Sequence, residues 1–467
     1  MFDLCGLKFY NLIDINISVF VDSYLDDLSS KLFALDASYR LSKRQIYWLK
    51  FCLTGLFLSN TLNWSCYSRL SFGYYKISAL SWMFRHSKIN FEVLFMHSIG
   101  HVLSTYNLGS GHLIFDDTDN ERSKNAVHIH ALGKQKDKKS GGYFLGQNIL
   151  FMLLVTDKVT LPVGFKFYEN DPTWLSWKKE DTRLVAKKVT KSHRPDEIAR
   201  NFDVYPTKHK LSCQLAAQFK QHFPAFVVRS IMADCLYGTK EWTADMLALY
   251  PDAQMLSQLK SNQKIIYHNQ EYSLATYFKQ RAAISSTTVI RGGKTVPIYY
   301  SSVIAKVKAH GAKRLIIAYK YHGEDEFRYV FASDMSWMPH HIIATYSLRW
   351  LVEVFIADWK KYEGWAVLTK HIGDEGAKTT LCLSLLFDHC LILHPEQQAR
   401  IENNMPPATV GSLREKSIQQ HLVKTIQHII EAPNSKELLK QLVNNIDKIY
   451  ILADSKKHLS GKNIAYP

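Results

Sequence analysis

Along the chain, hydrophobic and polar positions alternate between short strand-like runs and longer helical stretches. Leu113-Ile114-Phe115 is an apolar run that stops on Asp116-Asp117-Thr118, as a buried strand delivering acids at its carboxyl end would. Residues 147–156 and 161–168 are two further strand-like runs, joined by Asp157-Lys158. An amphipathic helix is predicted over 211–223 and ends at Pro224. The apolar run 226–233 then ends on Asp234, followed by Cys235-Leu236-Tyr237-Gly238 and a helix over 241–249. This order of strand, acid, turn and helix is that of an open α/β sheet with ligands at the strand carboxyl ends. Strand patterns recur at 254–259, 265–268, 288–290, 296–307, 314–321 and 327–332, punctuated by Gly292-Gly293, His310-Gly311 and His322-Gly323. Helical periodicity marks 42–58 and 77–86 near the start, and 377–394, 396–405, 410–430 and 435–452 near the end.

Residues 346–360, without Gly or Pro, predict one continuous helix. Tyr346, Arg349, Glu353 and Lys360 recur along roughly one face of it, while Trp350, Leu351, Val354, Phe355 and Ile356 cover the sides. Charges in a packed helix need partners, either one another in a ladder of ion pairs or groups brought from elsewhere in the chain.

Charge narrows the choice. The 467 residues carry 58 Lys and Arg against 42 Asp and Glu, a net +16, which points to a polyanionic partner and above all to nucleic acid. The best apolar run, 381–393, is broken by Asp388 and His389 and is too short for a membrane span. Asp3 and Cys5 stand where a signal peptide would have its basic start, and the seven cysteines form no C-x-x-C. Reduced, mostly buried thiols in a cytoplasmic protein are expected. No phosphate-binding glycine loop, HExxH or nucleophile elbow is present, against ATPase, zinc protease and serine hydrolase chemistry. His128-x-His130 lacks the companions of a metal site and reads as an exposed strand or loop; Lys134, Lys136, Lys138 and Lys139 read as a solvated basic loop, and 456–467 as a loose basic tail.

Three acids therefore stand in defined settings, Asp116, Asp234 and Glu353, far apart in the chain, so that only the fold can unite them. Such a trio suits phosphoryl transfer, in which two Mg²⁺ ions about 3.5–4 Å apart need several hard oxygen ligands. Without metal, three packed carboxylates would repel one another.

The spacing Y-x2-R-x3-E-x6-K of Tyr346, Arg349, Glu353 and Lys360 resembles the signature of one group of bacterial insertion-sequence transposases, the DDE cut-and-paste enzymes. Phe115-Asp116-Asp117-Thr118 resembles that family's first-Asp motif, and Ala233-Asp234-Cys235-Leu236-Tyr237-Gly238 its second. The resemblance implies an α/β ribonuclease-H-like core with a β-rich insertion, flanked by helical N- and C-terminal regions. On this layout, 1–108 is a helical DNA-end-binding region, 109–252 with 335–375 the catalytic core, 253–334 the insertion, and 376–467 a helical region available for oligomerisation. It further implies that Asp116, Asp234 and Glu353 ligate two Mg²⁺ ions (Mn²⁺ as a substitute). Arg349 and Tyr346 would hold phosphates, and Lys360 would contact the end DNA. The partner is double-stranded DNA, at transposon ends and target, with a homodimer in the DNA complex. Asp117 remains the alternative first ligand, since neighbouring strand residues face opposite sides. A hairpin intermediate would call on an aromatic; Tyr329 and Trp337 lie in the region, and a core role is favoured for both. The competing readings are a related nuclease without strand transfer and a catalytically silent DNA-binding derivative.

Overall fold

The computed structural model describes residues 19–35, 40–71, 75–137, 140–281, 284–364 and 373–449. Cys5, Lys138, Lys139 and the tail 456–467 lie outside them. In chain order the elements are helices α1 (Val19–Leu35), α2 (Lys43–Ser59), α3 (Trp64–Leu70), α4 (Ile77–His86) and α5 (Phe91–Thr105), then strands β1 (Ser110–Glu121), β2 (Leu132–Lys136), β3 (Tyr143–Val155) and β4 (Thr160–Tyr168). Next come α6 (Pro172–Ala186), α7 (Lys208–His222), β5 (Val227–Ala233), α8 (Lys240–Leu249), β6 (Gln254–Leu259), β7 (Lys264–Tyr267), β8 (Gln270–Ser273) and α9 (Leu274–Arg281). Strands β9 (Ser285–Arg291), β10 (Lys294–Val307), β11 (Ala312–Tyr321) and β12 (Arg328–Ala332) follow, and helices α10 (Pro339–Ser347), α11 (Trp350–Tyr362), α12 (Gly373–Ile392), α13 (Pro395–Glu402), α14 (Val410–Glu431) and α15 (Ser435–Ile449) complete the chain.

The chain divides into two compact units: residues 1–89, 362–368 and 409–467, and residues 90–361 and 369–408. The first unit is helical. Its centre is α2, buried through Trp48, Leu49, Phe51, Cys52, Leu53, Leu56 and Phe57. Ser42 and Gln45 close the start of α2 with a reciprocal capping box, and Asn60 ends it in the left-handed conformation at φ 52°. Gly55 is required there, because a Cβ would lie 2.5 Å from the Tyr67 ring, whose hydroxyl donates to the Cys52 carbonyl at 3.1 Å.

The second unit is mixed α/β, built on one 12-stranded sheet whose main path runs β2-β3-β1-β5-β6-β12-β11-β10-β7-β8. β1, β5 and β6 are parallel; β3 pairs β1 antiparallel, and β4 pairs β3. The strands of 264–332 prolong this same sheet, because β6 pairs with both β5 and β12. They carry their own core of Leu259, Ile265, Leu274, Phe278, Val307, Ile316 and Phe331. Phe151 on β3 packs against Phe355 and Trp359 of α11, whereas Phe115 on β1 packs against Trp242 of α8. Helices therefore cover both faces. No single helix among the described residues is long and apolar enough to cross a membrane. The six described cysteines are free thiols; Cys52, Cys382 and Cys390 are buried, and Cys235 is exposed.

Two local features depart from the pattern-based reading. β1 does not stop at Asp116 but runs on to Glu121, held by β3 across Asp116↔Phe151 to Glu121↔Gly146. What ends near Asp116 is the parallel neighbour: β1–β5 pairing finishes at Phe115↔Ala233. The expected continuous helix over 346–360 is two helices, α10 and α11. Between them Leu348, Arg349, Leu351 and Val352 donate to carbonyls three residues back, with distances of 2.9–3.2 Å. Tightening to three residues per turn rotates Arg349 away from the phase that an unbroken α-helix would give it.

Candidate active site

The end of β5 exposes the middle of β1, and the site lies at this step. Beyond Phe115↔Ala233 the chain of β5 turns away through Asp234–Gly238, so Asp116 and Asp234 emerge side by side. Asp234 accepts a bond from the Leu236 backbone at 2.9 Å, and its own carbonyl accepts from Ser257 Oγ at 2.6 Å. The turn is braced twice more, with His209 Nε2 at 2.8 Å from the Leu236 carbonyl and His310 Nε2 at 3.1 Å from that of Gly238. Gly238 is needed because a Cβ would meet the Gln258 carbonyl at 2.5 Å.

Arg349 joins two of the acids. Its guanidinium lies 2.8 Å from Asp116 Oδ2 and 2.6 Å from Glu353 Oε1. Asp116 is 17% exposed and Glu353 51%, so one partner is enclosed and the other opens to solvent. Lys360, two turns beyond the acid on α11, donates to Thr118 Oγ1 at 2.7 Å and to the Asp119 carbonyl at 2.6 Å. Tyr346 departs from its expected phosphate contact: its ring is buried, and the hydroxyl donates to the Ala233 carbonyl at 3.0 Å. It fixes the last residue before Asp234.

Strand alternation sends the two candidate first acids to opposite faces. Asp116 and Thr118 point toward α11, whereas Asp117 points to the opposite face, bonded to Lys208 at 2.8 Å and to Asn148 Nδ2 at 2.8 Å. Asn148 Nδ2 also reaches Asp119 Oδ1 at 2.7 Å. In the sequence the alternating acids Asp117 and Asp119 are the one signal of this second polar layer, whose partners Asn148 and Lys208 are remote in the chain. His128-x-His130 lies apart from the site, with His130 Nε2 3.1 Å from Asp374 Oδ1. Tyr329 is buried in the insertion core.

Electrostatics follow from this enclosure. Burial pushes Asp116 up to about 6 against the opposing pull of Arg349, and the charges of Asp234 and Asp117 add to the rise. Burial works to lower Arg349, but Tyr346, Asp116, Glu353 and Asp234 together hold it above its ordinary value. Burial lowers Lys360, with Asp119 opposing. Tyr237 is fully buried beside the acids and its hydroxyl has no hydrogen-bond partner among the described residues; burial first, then Asp117, Asp234 and Asp116, raise it far above the normal phenol range.

The donors are hard carboxylate oxygens, suited to Mg²⁺ or Mn²⁺. In this arrangement Arg349 stands between Asp116 and Glu353, and among the described residues no three His, Cys, Asp or Glu side chains are drawn together as a metal-binding group.

No family model matches the chain, and neither does any curated protein. A chain of the cryo-EM structure of a piggyBac transposase synaptic complex with hairpin DNA aligns at a TM-score of 0.39 and 11% identity, over 98% of this chain and 88% of that one. A likeness of that size defines no shared fold, so the functional argument rests on the site.

Proposed function

We propose that the protein is a Mg²⁺-dependent DNA transposase with a ribonuclease-H-like catalytic core. It binds the terminal inverted repeats of its insertion sequence, hydrolyses phosphodiester bonds at the ends and joins the 3′-OH ends to target DNA. The observation that carries this reading is the Arg349 bridge. Asp116 from β1 and Glu353 from α11 are tied by one guanidinium, next to Asp234 at the end of β5. An arginine that holds two acids from distant segments offers the bidentate fork that a phosphodiester takes, which supports this reading.

In this mechanism Asp116, Asp234 and Glu353 would hold the divalent ions, which when bound would supply charge that activates the attacking oxygen and stabilises the leaving one. The chain's own groups do the remainder. Arg349 exchanges its carboxylates for a phosphate, which frees Asp116 and Glu353 as donors. Lys360 sits beside Thr118 as a point charge for the DNA backbone, and Tyr346 positions the Ala233–Asp234 step. The net charge of +16 draws the duplex in, the helical N-terminal region binds the ends, and two copies act on paired ends in the nucleoid-associated cytoplasm.

The test is cleavage of a labelled duplex carrying the inverted repeats that flank the coding region. Mg²⁺-dependent nicking lost in Asp234→Ala, with binding retained, is expected; equal behaviour of the two proteins would overturn the assignment. Joining of the 3′ ends to a plasmid separates transposase from nuclease.

A further inference from the structure

Strands β9 and β10 form a hairpin closed by Gly292-Gly293, with φ of 57° and 73° and Arg291 paired to Lys294. Two positive φ values in a two-residue loop are those of a tight turn that glycine accepts without strain. The tip lies over the start of α11: a Cβ on Gly292 would stand 3.6 Å from the Trp350 ring. The Arg291 guanidinium rests on that same ring at 5.1 Å and on Tyr321 at 5.4 Å. Trp350 follows Arg349 directly, so the ring that carries Arg291 belongs to the residue next in the chain to the bridge between Asp116 and Glu353.

Arg291 has no carboxylate within ion-pair distance among the described residues. Glu324, which feels its charge, is committed to Arg328, and that guanidinium also lies over the Tyr321 ring. A guanidinium held by π faces alone keeps its five donors free in the ring plane. On the hairpin Lys294 is exposed, Ile290 is 77% exposed, and the two glycines leave the backbone bare. A tip with two cations, an exposed β-branched apolar residue and no bulk at its turn is complementary to a nucleic-acid backbone.

We propose that the β9–β10 tip is a DNA-contacting arm, in which Arg291 and Lys294 bind backbone phosphates of the duplex beside the reacting phosphate. This rests on the DNA-processing reading of the Asp116 site. Without DNA, Arg291 is parked on Trp350; with DNA, it keeps the stack and turns its free N–H edge to a phosphate. The glycine turn lets the backbone approach closely, and Ile290 lies against the sugar edge. The insertion thereby lengthens the binding groove on the α10–α11 side of the sheet.

The experiment compares salt dependence of binding by the full chain to a fluorescein-labelled duplex of random sequence, read by anisotropy. Arg291→Met keeps an unbranched stem on Trp350 and removes the charge; Arg291→Lys keeps the charge. The slope of log K against log salt is expected to shrink by about 0.9 with Arg291→Met, by about twice that when Lys294→Met is added, and to recover with Arg291→Lys. An unchanged slope in the double variant would overturn the proposal, as would a slope that Arg291→Lys does not restore, which would mark Arg291 as packing only. Nicking of the inverted-repeat duplex is measured on the same proteins. Absent nicking by the wild type, with the slope changes intact, sinks the catalytic reading and leaves the arm as a feature of a DNA-binding protein.

Discussion

Removing the Arg349 guanidinium while keeping its stem, as in Arg349→Met, tests the bridge as a structural element. The side chain makes ion pairs of 2.8 Å to Asp116 and 2.6 Å to Glu353, and its own exposure is 18%. Breaking one partner of a fully buried pair costs about 3–5 kcal/mol. Here both Arg349 and Asp116 retain some solvent, so about 2 kcal/mol is the appropriate loss. The other half of the bridge is weak: Glu353 is half exposed and four residues away on the chain, which makes Glu353→Gln worth about 0.5 kcal/mol. Urea denaturation without metal or DNA, followed by Trp fluorescence, measures both. The midpoint should fall clearly for Arg349→Met and barely for Glu353→Gln, at unchanged slope. Equal midpoints for the two variants would refute the claim that Arg349 is held chiefly by the enclosed Asp116.

Other outcomes follow from local physics. His389 is buried between Ser98 Oγ at 2.7 Å and the Pro162 carbonyl at 2.8 Å, and burial lowers it to about 4, with His101 adding to the fall. Its neutral form is the folded one, so stability is unaffected above the ordinary value of 6.5 and falls as pH drops from there toward 4. The loss totals about 3 kcal/mol, and the urea midpoint of His389→Gln should show a shallower decline over that window. Tyr237→Phe deletes a buried hydroxyl that has no partner and should raise stability by about 1 kcal/mol, seen as a higher urea midpoint. Gly55→Ala drives a methyl into the Tyr67 ring and should cost about 1–3 kcal/mol in the helical unit, measured by loss of helical circular dichroism on heating.

Much of this architecture is legible in residue pattern alone. The apolar runs that became β3, β4 and β5 announce themselves because parallel or doubly covered strands need continuous apolar stretches. The acids at 116 and 234 are conspicuous because each interrupts such a run. The break at Leu348–Arg349 is not legible, since Leu and Arg are good helix formers and the bonds flanking it, Arg349 to Asp116 and Tyr346 to the Ala233 carbonyl, come from strands remote in the chain. Nor could pattern show that β1 outlasts β5, because residues 116–121 look like a polar turn until β3 pairs with them. Lys208, His209 and His310 carry no local signal; each becomes meaningful only when a carbonyl or carboxylate from a remote strand end is placed before it. The packing of α5 with α12 within the sheet-bearing unit, two helices remote from each other in the chain, is of the same kind.

The central claim, that Asp116, Asp234 and Glu353 act together as ligands of a divalent ion, is tested most directly by a change of metal preference. In Asp234→Cys a soft thiolate replaces a hard carboxylate, which Mg²⁺ tolerates poorly and Mn²⁺ better. Nicking of the inverted-repeat duplex should vanish in Mg²⁺ and return in Mn²⁺, while Asp234→Ala stays silent in both. Nicking by Asp234→Cys that is equal in the two metals would contradict a ligand role for Asp234.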